Sequence, residues 1–193
     1  DTGHGWSDVL RMYSTKMPHV KFILPTAPVR KVTRFGGAPS NAWFDLLGLP
    51  DRADEPCQGI EDSQRTVADL VAAEVAAGIP HDRIVLGGFS QGGGLAYFTG
   101  LQFPEPLAGL LVLSGYLPKP STIKVQHSAT PVLQCHGTHD PMVLMQWATA
   151  SEQRAKAVGY DVQFKTYQGL DHSVSDEELK DVLVWLQSRI PQA

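Results

Sequence analysis

The sequence predicts an α/β protein in which helices cover both faces of a mostly parallel sheet. Three observations carry this. Short apolar runs alternate along the chain with stretches of helical periodicity. The apolar runs do not alternate with polar residues, as expected of strands buried on both sides. A length of 193 residues, 42% hydrophobic and 19% charged, suffices for one domain with a sizeable core. No repeat, low-complexity tract or linker divides it, so residues 1–193 read as a single domain.

Trp6, Val9, Leu10, Tyr13 and Met17 recur at helical spacing, and "VKFIL" (20–24) then reads as a buried strand. Residues 25–58 read as loop-rich, with prolines at 25, 28, 39, 50 and 56. A helix from about Glu61 to Ala77 presents Val67, Leu70, Val71 and Val75 on one face, and Gly78 and Pro80 stop it. "RIVLGGF" (83–89) is a strand, Gln91–Gln102 a helix, and "LAGLLVL" (107–113) and "PVLQC" (131–135) are strands. A helix over Met142–Val158 and the strand "VQFKTY" (162–167) follow. The last helix opens at "SDEE", where Ser175 and Glu178 fit a capping box, and its apolar face is Leu179, Val182, Leu183, Leu186 and Ile190. In such sheets ligands bind beyond the carboxyl ends of the strands, so the residues just after each strand matter most.

A net charge of −4 argues against a nucleic-acid partner. The longest apolar stretch, Leu107–Leu117, is interrupted by Gly109, Ser114 and Gly115 and is too short to span a bilayer. Cys57 and Cys135 form neither a disulfide framework nor a zinc pattern. They read as reduced, packed thiols, which suits a reducing compartment and, with no signal peptide in view, a cytoplasmic location.

The stretch "RIVLGGFSQGGGLAYF" (83–98) places five glycines around Ser90. A phosphate loop would need Lys after its second key glycine, and a dinucleotide fingerprint would need Gly-x-Gly-x-x-Gly; both fail here. Gly88-Phe89-Ser90-Gln91-Gly92 does match Gly-x-Ser-x-Gly in a strand–turn–helix context, the requirement of a nucleophile elbow. A serine hydroxyl is a weak nucleophile without a base and an acid to orient it. In chain order the next strand ends offer Asp140 after "PVLQC" and His172 after "VQFKTY". Asp171 is a second candidate acid, disfavoured because it adjoins His172. His136, His139 and Asp140 have poor zinc spacing, so no metal site is expected. His136 reads as a packed or hydrogen-bonded residue at a strand end, and Cys135 as a packed thiol rather than a nucleophile. Arg30, Lys31 and Arg34 read as a solvated loop in preference to a site for anionic lipid headgroups.

These residues resemble the acyl-protein thioesterases, a branch of the phospholipase/carboxylesterase group of α/β-hydrolases. The matching stretches are "DTGHGW" (1–6), "APVRKVT" (27–33), "WFD" (43–45), "RIVLGGFSQGG" (83–93), "LQCHGTHDPMV" (133–143) and "FKTYQGLDHSV" (164–174). The resemblance implies Ser90 as nucleophile, Asp140 as acid, His172 as base and the Gln91 N–H as an oxyanion donor. It implies no cofactor. The implied substrates are S-acylated, chiefly palmitoylated, proteins or lipid esters, met in transient contact with a membrane surface by a monomer or weak homodimer. Phe35, Trp43, Phe44 and Leu117 are candidate lining residues of an acyl groove. The alternatives are a general carboxylesterase or lysophospholipase, and a truncated form that binds acylated proteins without turnover.

The sequence departs from the family in three places. The family sets a strand and a His-Gly-x-Gly turn before "DTGHGW", and that turn supplies a second oxyanion donor; here the chain begins at Asp1. The fold is therefore expected to lack an N-terminal strand, and one lost donor costs roughly a hundred- to a thousandfold in rate. The stretch "RFGGAPSNAWFD" (34–45) differs from the usual pattern, which bears on chain-length preference. Asp171 stands where a small or apolar residue is expected, and its charge would raise the pKa of His172.

Overall fold

The computed structural model describes residues 2–48, 52 and 55–192. In chain order the elements are α1 (Ser7–Lys16), β1 (Val29–Val32), β2 (Ala38–Asn41), α2 (Ile60–Ala76), β3 (Val85–Phe89), α3 (Gln91–Gly100), β4 (Gly109–Leu113), β5 (Val132–Gly137), α4 (Met145–Ala157), β6 (Val162–Tyr167) and α5 (Asp176–Arg189). Strands β3-β4-β5-β6 form a parallel sheet in sequence order.

Side chains of a strand alternate between faces, and β4 shows why its five residues are all apolar or glycine. Leu110 and Val112 point to one side, into a core with Val71 of α2, Ala96 and Tyr97 of α3, and Ala155 of α4. Leu111 and Leu113 point to the other, against Tyr13 of α1 and Val182, Trp185 and Leu186 of α5. Both faces are covered, so a polar residue buried on these inner strands needs hydrogen-bond partners. Gln134 meets that condition: it accepts from the Tyr97 hydroxyl at 2.9 Å and donates to the Ala148 carbonyl at 2.8 Å.

One expected strand is corrected. Residues 20–24 form no strand, because they find no ladder partner among the described residues. Val20 and Phe22 pack beside α1 and α5, Lys21 pairs with Glu74 at 2.7 Å, and Ile23 and Leu24 remain exposed. The loop-rich stretch contains a hairpin that its sequence does not announce, with Val29↔Asn41 to Val32↔Ala38 paired antiparallel. Gly36 and Gly37, at φ +66° and +77°, make the reversal. Its prolines concealed it, but Pro39 is tolerated because a two-stranded ribbon leaves each strand one open edge.

Helix α4 starts at Met145 rather than Met142, because residues 140–143 form a turn around the Asp140 carboxylate. At the start of α5, Ser175 Oγ accepts from the Glu178 N–H at 3.1 Å, and the buried Glu178 carboxyl reaches back only weakly to the Ser175 backbone. Burial pushes that carboxyl up to about 7.

Candidate active site

Strand β3 ends at Phe89 and α3 begins at Gln91, so the reversal falls on Ser90 alone. Its backbone sits at φ 53°, ψ −118°, a conformation that L-residues rarely adopt. The surroundings hold it there. The Ser90 N–H donates to the Leu113 carbonyl at 2.8 Å, and the Ser90 carbonyl accepts from the Gly94 N–H at 3.0 Å. Gly88 is required by space, since a Cβ there would lie 2.2 Å from the Gly92 carbonyl carbon. A Cβ on Gly92 would meet only Trp43 Nε1, at 3.8 Å. The two glycines of the motif thus answer different demands.

The three strand ends converge. His172 Nε2 lies 2.9 Å from Ser90 Oγ, and His172 Nδ1 lies 2.7 Å from Asp140 Oδ2. A carboxylate can only accept, so Nδ1 carries the imidazole proton and Nε2 is left to accept from the serine hydroxyl. Asp140 is 5% exposed, and its Oδ1 accepts from the Met142 and Val143 N–H groups, both at 2.8 Å. Burial pushes the Asp140 carboxyl up, but the bonds from His172 and from the Val143 and Met142 backbone outweigh it. They hold the group below its ordinary value. The Phe89 ring packs on the His172 ring at 4.8 Å between centroids, and Trp6 packs on Phe89 at 5.6 Å. These aromatic supports were not foreseen; the only sequence signal was an aromatic at the variable position of the elbow motif.

Gln91, as the first residue of α3, has an N–H that the helix itself leaves without an acceptor. Its side chain has another task. Oε1 accepts from the Trp43 N–H at 2.7 Å and Nε2 donates to the Phe44 carbonyl at 2.8 Å. Ser63 Oγ donates to the Trp43 carbonyl at 2.5 Å, so segment 43–44 is clasped between the elbow and α2. Nothing in the spacing of Gln91 and Trp43 announced this.

The candidate lining residues separate. Trp43 lies beside the elbow near Gly92, but it is buried in the same interior cluster as Phe44. Phe35 is 54% exposed, on the connection between β1 and β2. Phe44 and Leu117 are a correction: they are 0% and 3% exposed and packed in the interior with Ile60, Leu95 and Phe98, and with Tyr97 and Leu110, respectively. A helix-side core needed their volume. Asp171 is exposed and accepts from Ser173 Oγ at 2.5 Å, making no pair with His172. Burial pushes the Cys135 and Cys57 thiols up to about 12, which keeps both un-ionised. Among the described residues no group of three or more His, Cys, Asp or Glu side chains is placed to hold a metal.

Fold and site together define a serine hydrolase of the α/β-hydrolase class. The sequence profile of the phospholipase/carboxylesterase family matches residues 1–190, and the chain belongs to that family. It is similar to acyl-protein thioesterase 1 of Neurospora crassa, with 38% identity over 209 aligned positions spanning 100% of this chain and 84% of the relative. The crystal structure of Arabidopsis thaliana SOBER1 superposes with a TM-score of 0.90 at 31% identity, covering 98% of this chain and 94% of that one. Zea mays acyl-protein thioesterase 2 superposes with a TM-score of 0.84 at 34% identity, covering 98% and 89%.

Proposed function

We propose that this protein hydrolyses acyl thioesters and esters, and that its substrates are S-acylated proteins. The observation that carries the reading is the Ser90–His172–Asp140 relay across three strand ends, at 2.9 and 2.7 Å. The thioesterase assignment is supported by the relatives named acyl-protein thioesterase.

In this reading Ser90 Oγ attacks the acyl carbonyl while His172 Nε2 takes its proton. Asp140 holds the Nδ1–H tautomer and stabilises the imidazolium that forms. The oxyanion is held by the Gln91 N–H, aided by the positive end of α3. His172 then returns the proton to the leaving thiol or alcohol. Water, activated by the same imidazole, releases the acyl chain and restores Ser90.

Contact with a membrane surface is part of the proposal, and the β1–β2 hairpin is the element that would make it. Lys31, Arg34 and Phe35 are all exposed there. Arg30 is not available, because it donates to the Ala42 and Gln58 carbonyls. The two buried free thiols are consistent with a cytoplasmic location.

A fluorophosphonate probe tests the reading, with the adduct mapped by peptide mass spectrometry. An adduct on Ser90 that is lost in His172→Ala supports it. Well-folded protein without an adduct would favour a form that binds acylated proteins without turnover. Comparing a palmitoyl-peptide thioester with short-chain and lysolipid esters then separates a thioesterase from a general carboxylesterase.

A further inference from the structure

We propose that His136, through its Nε2–H bond to the Val143 carbonyl, is a positioning residue that aligns Asp140 with His172. This deepens the relay reading above and rests on it.

His136 lies on β5, four residues before Asp140, and is 0% exposed. Its Nε2 is 2.7 Å from the Val143 carbonyl oxygen and 3.6 Å from Asp140 Oδ2. A carbonyl only accepts, so Nε2 carries the proton and Nδ1 is bare. Nδ1 is also the ring atom without a partner. Burial pushes the His136 imidazole down, which keeps it neutral. A neutral ring adds no positive charge to compete with His172 for Asp140. Its Nε2–H is committed to the Val143 carbonyl.

The acid turn has two halves. Its first half is bonded to the segment that carries His172: the Thr138 N–H donates to the Tyr167 carbonyl at 3.0 Å, and the His139 N–H to the Leu170 carbonyl at 2.9 Å. Its second half supplies the Met142 and Val143 N–H groups that fix Asp140 Oδ1. His136 secures this second half by holding the carbonyl of the residue whose N–H grips Asp140. The 2.7 Å bond to Val143 outranks the 3.6 Å approach to Asp140, which is beyond hydrogen-bond distance. Removing the ring N–H therefore acts mainly by releasing the turn. Asp140 then stabilises the His172 imidazolium less well.

The test compares His136→Gln, His136→Asn and His136→Phe in the intact protein. Gln places an amide N–H near the Nε2 position; Asn places its amide near Nδ1; Phe keeps the ring without a donor. Each variant is checked for folding by near-ultraviolet circular dichroism, and wild-type labelling of Ser90 is run alongside. We expect His136→Asn and His136→Phe to lose about 10- to 100-fold in kcat at near-constant KM, the scale of a misplaced catalytic group. The acid limb of kcat/KM should move to lower pH and the low-field His172 Nδ1–H proton resonance should broaden or shift upfield. His136→Gln should stay within about threefold of wild type, since it restores the donor. A folded Asn or Phe variant with unchanged kcat and acid limb would overturn the proposal, as would Gln and Asn variants equally impaired. Failure of wild type to label at Ser90 would instead strike at the relay reading itself.

Discussion

The two glycines flanking Phe89, Ser90 and Gln91 predict opposite outcomes for the same substitution. In Gly88→Ala the new Cβ would sit 2.2 Å from the Gly92 carbonyl carbon, 2.3 Å from its oxygen and 2.6 Å from the Gly93 nitrogen. All three are backbone atoms at the start of α3, so no rotamer relieves the overlap. Reaching ordinary contact requires a relative shift of more than 1 Å between β3 and α3, across the residue that carries the hydroxyl. Overpacking of this kind costs roughly 1–3 kcal/mol, and a misplacement of about 1 Å costs on the order of a hundredfold in rate. In Gly92→Ala the nearest atom is Trp43 Nε1 at 3.8 Å, an ordinary contact. That change falls in the first turn of α3 and adds up to roughly 1 kcal/mol of helix stability. Esterase kinetics with a short-chain chromogenic ester and thermal unfolding measure both effects. Gly88→Ala should lose about a hundredfold or more in kcat/KM and melt lower. Gly92→Ala should stay within about fivefold and melt equal or higher. Equal losses in the two variants would refute the spatial account of the elbow.

Three further outcomes are expected. Asp140→Asn leaves the shape of the relay but removes the carboxylate that selects the Nδ1–H tautomer, and should lower kcat by about 10⁴, measured under saturating substrate. Glu178 has a folded value near 7 against an ordinary 4.5, so the folded state binds a proton more tightly than the unfolded one. Its destabilising contribution therefore grows as pH rises from about 4.5 to about 7 and reaches roughly 3 kcal/mol above that window. Urea unfolding should show Glu178→Gln gaining on wild type between pH 5 and 8, and a difference that does not vary with pH would count against a carboxyl whose burial outweighs its contacts. Asp171→Ala should leave the acid limb of kcat/KM within about 0.3 pH unit, because an exposed carboxylate is screened; a larger shift would reinstate direct coupling to His172.

The parallel sheet and the relay were legible because each rests on local pattern. The β4 run "GLLVL" is apolar on both faces because both faces are covered. Ser90, Asp140 and His172 each fall at or just beyond a strand end, where chain order alone ranks them. What escaped the sequence depends on partners remote in the chain. "VKFIL" has the composition of a strand, yet a strand exists only where a neighbour supplies a ladder. The β1–β2 hairpin was masked by prolines whose tolerance depends on which edge is open. Phe44 and Leu117 looked like groove residues from their neighbourhood, and only packing against α2, α3 and β4 showed them to be interior. The Gln91 clasp joins residues 47 and 48 positions apart, a contact that no periodicity encodes.

That clasp has a consequence for how the site can diversify. Gln91 grips the N–H of Trp43 and the carbonyl of Phe44, groups present whatever side chains occupy those positions. The wall beside the nucleophile is thus anchored independently of its own chemistry. Substitutions at position 43 therefore change the packing beside the elbow while leaving the two anchoring bonds intact. The side chain beside the elbow and the bonds that hold its backbone become separately mutable, joined through the amide of a single glutamine.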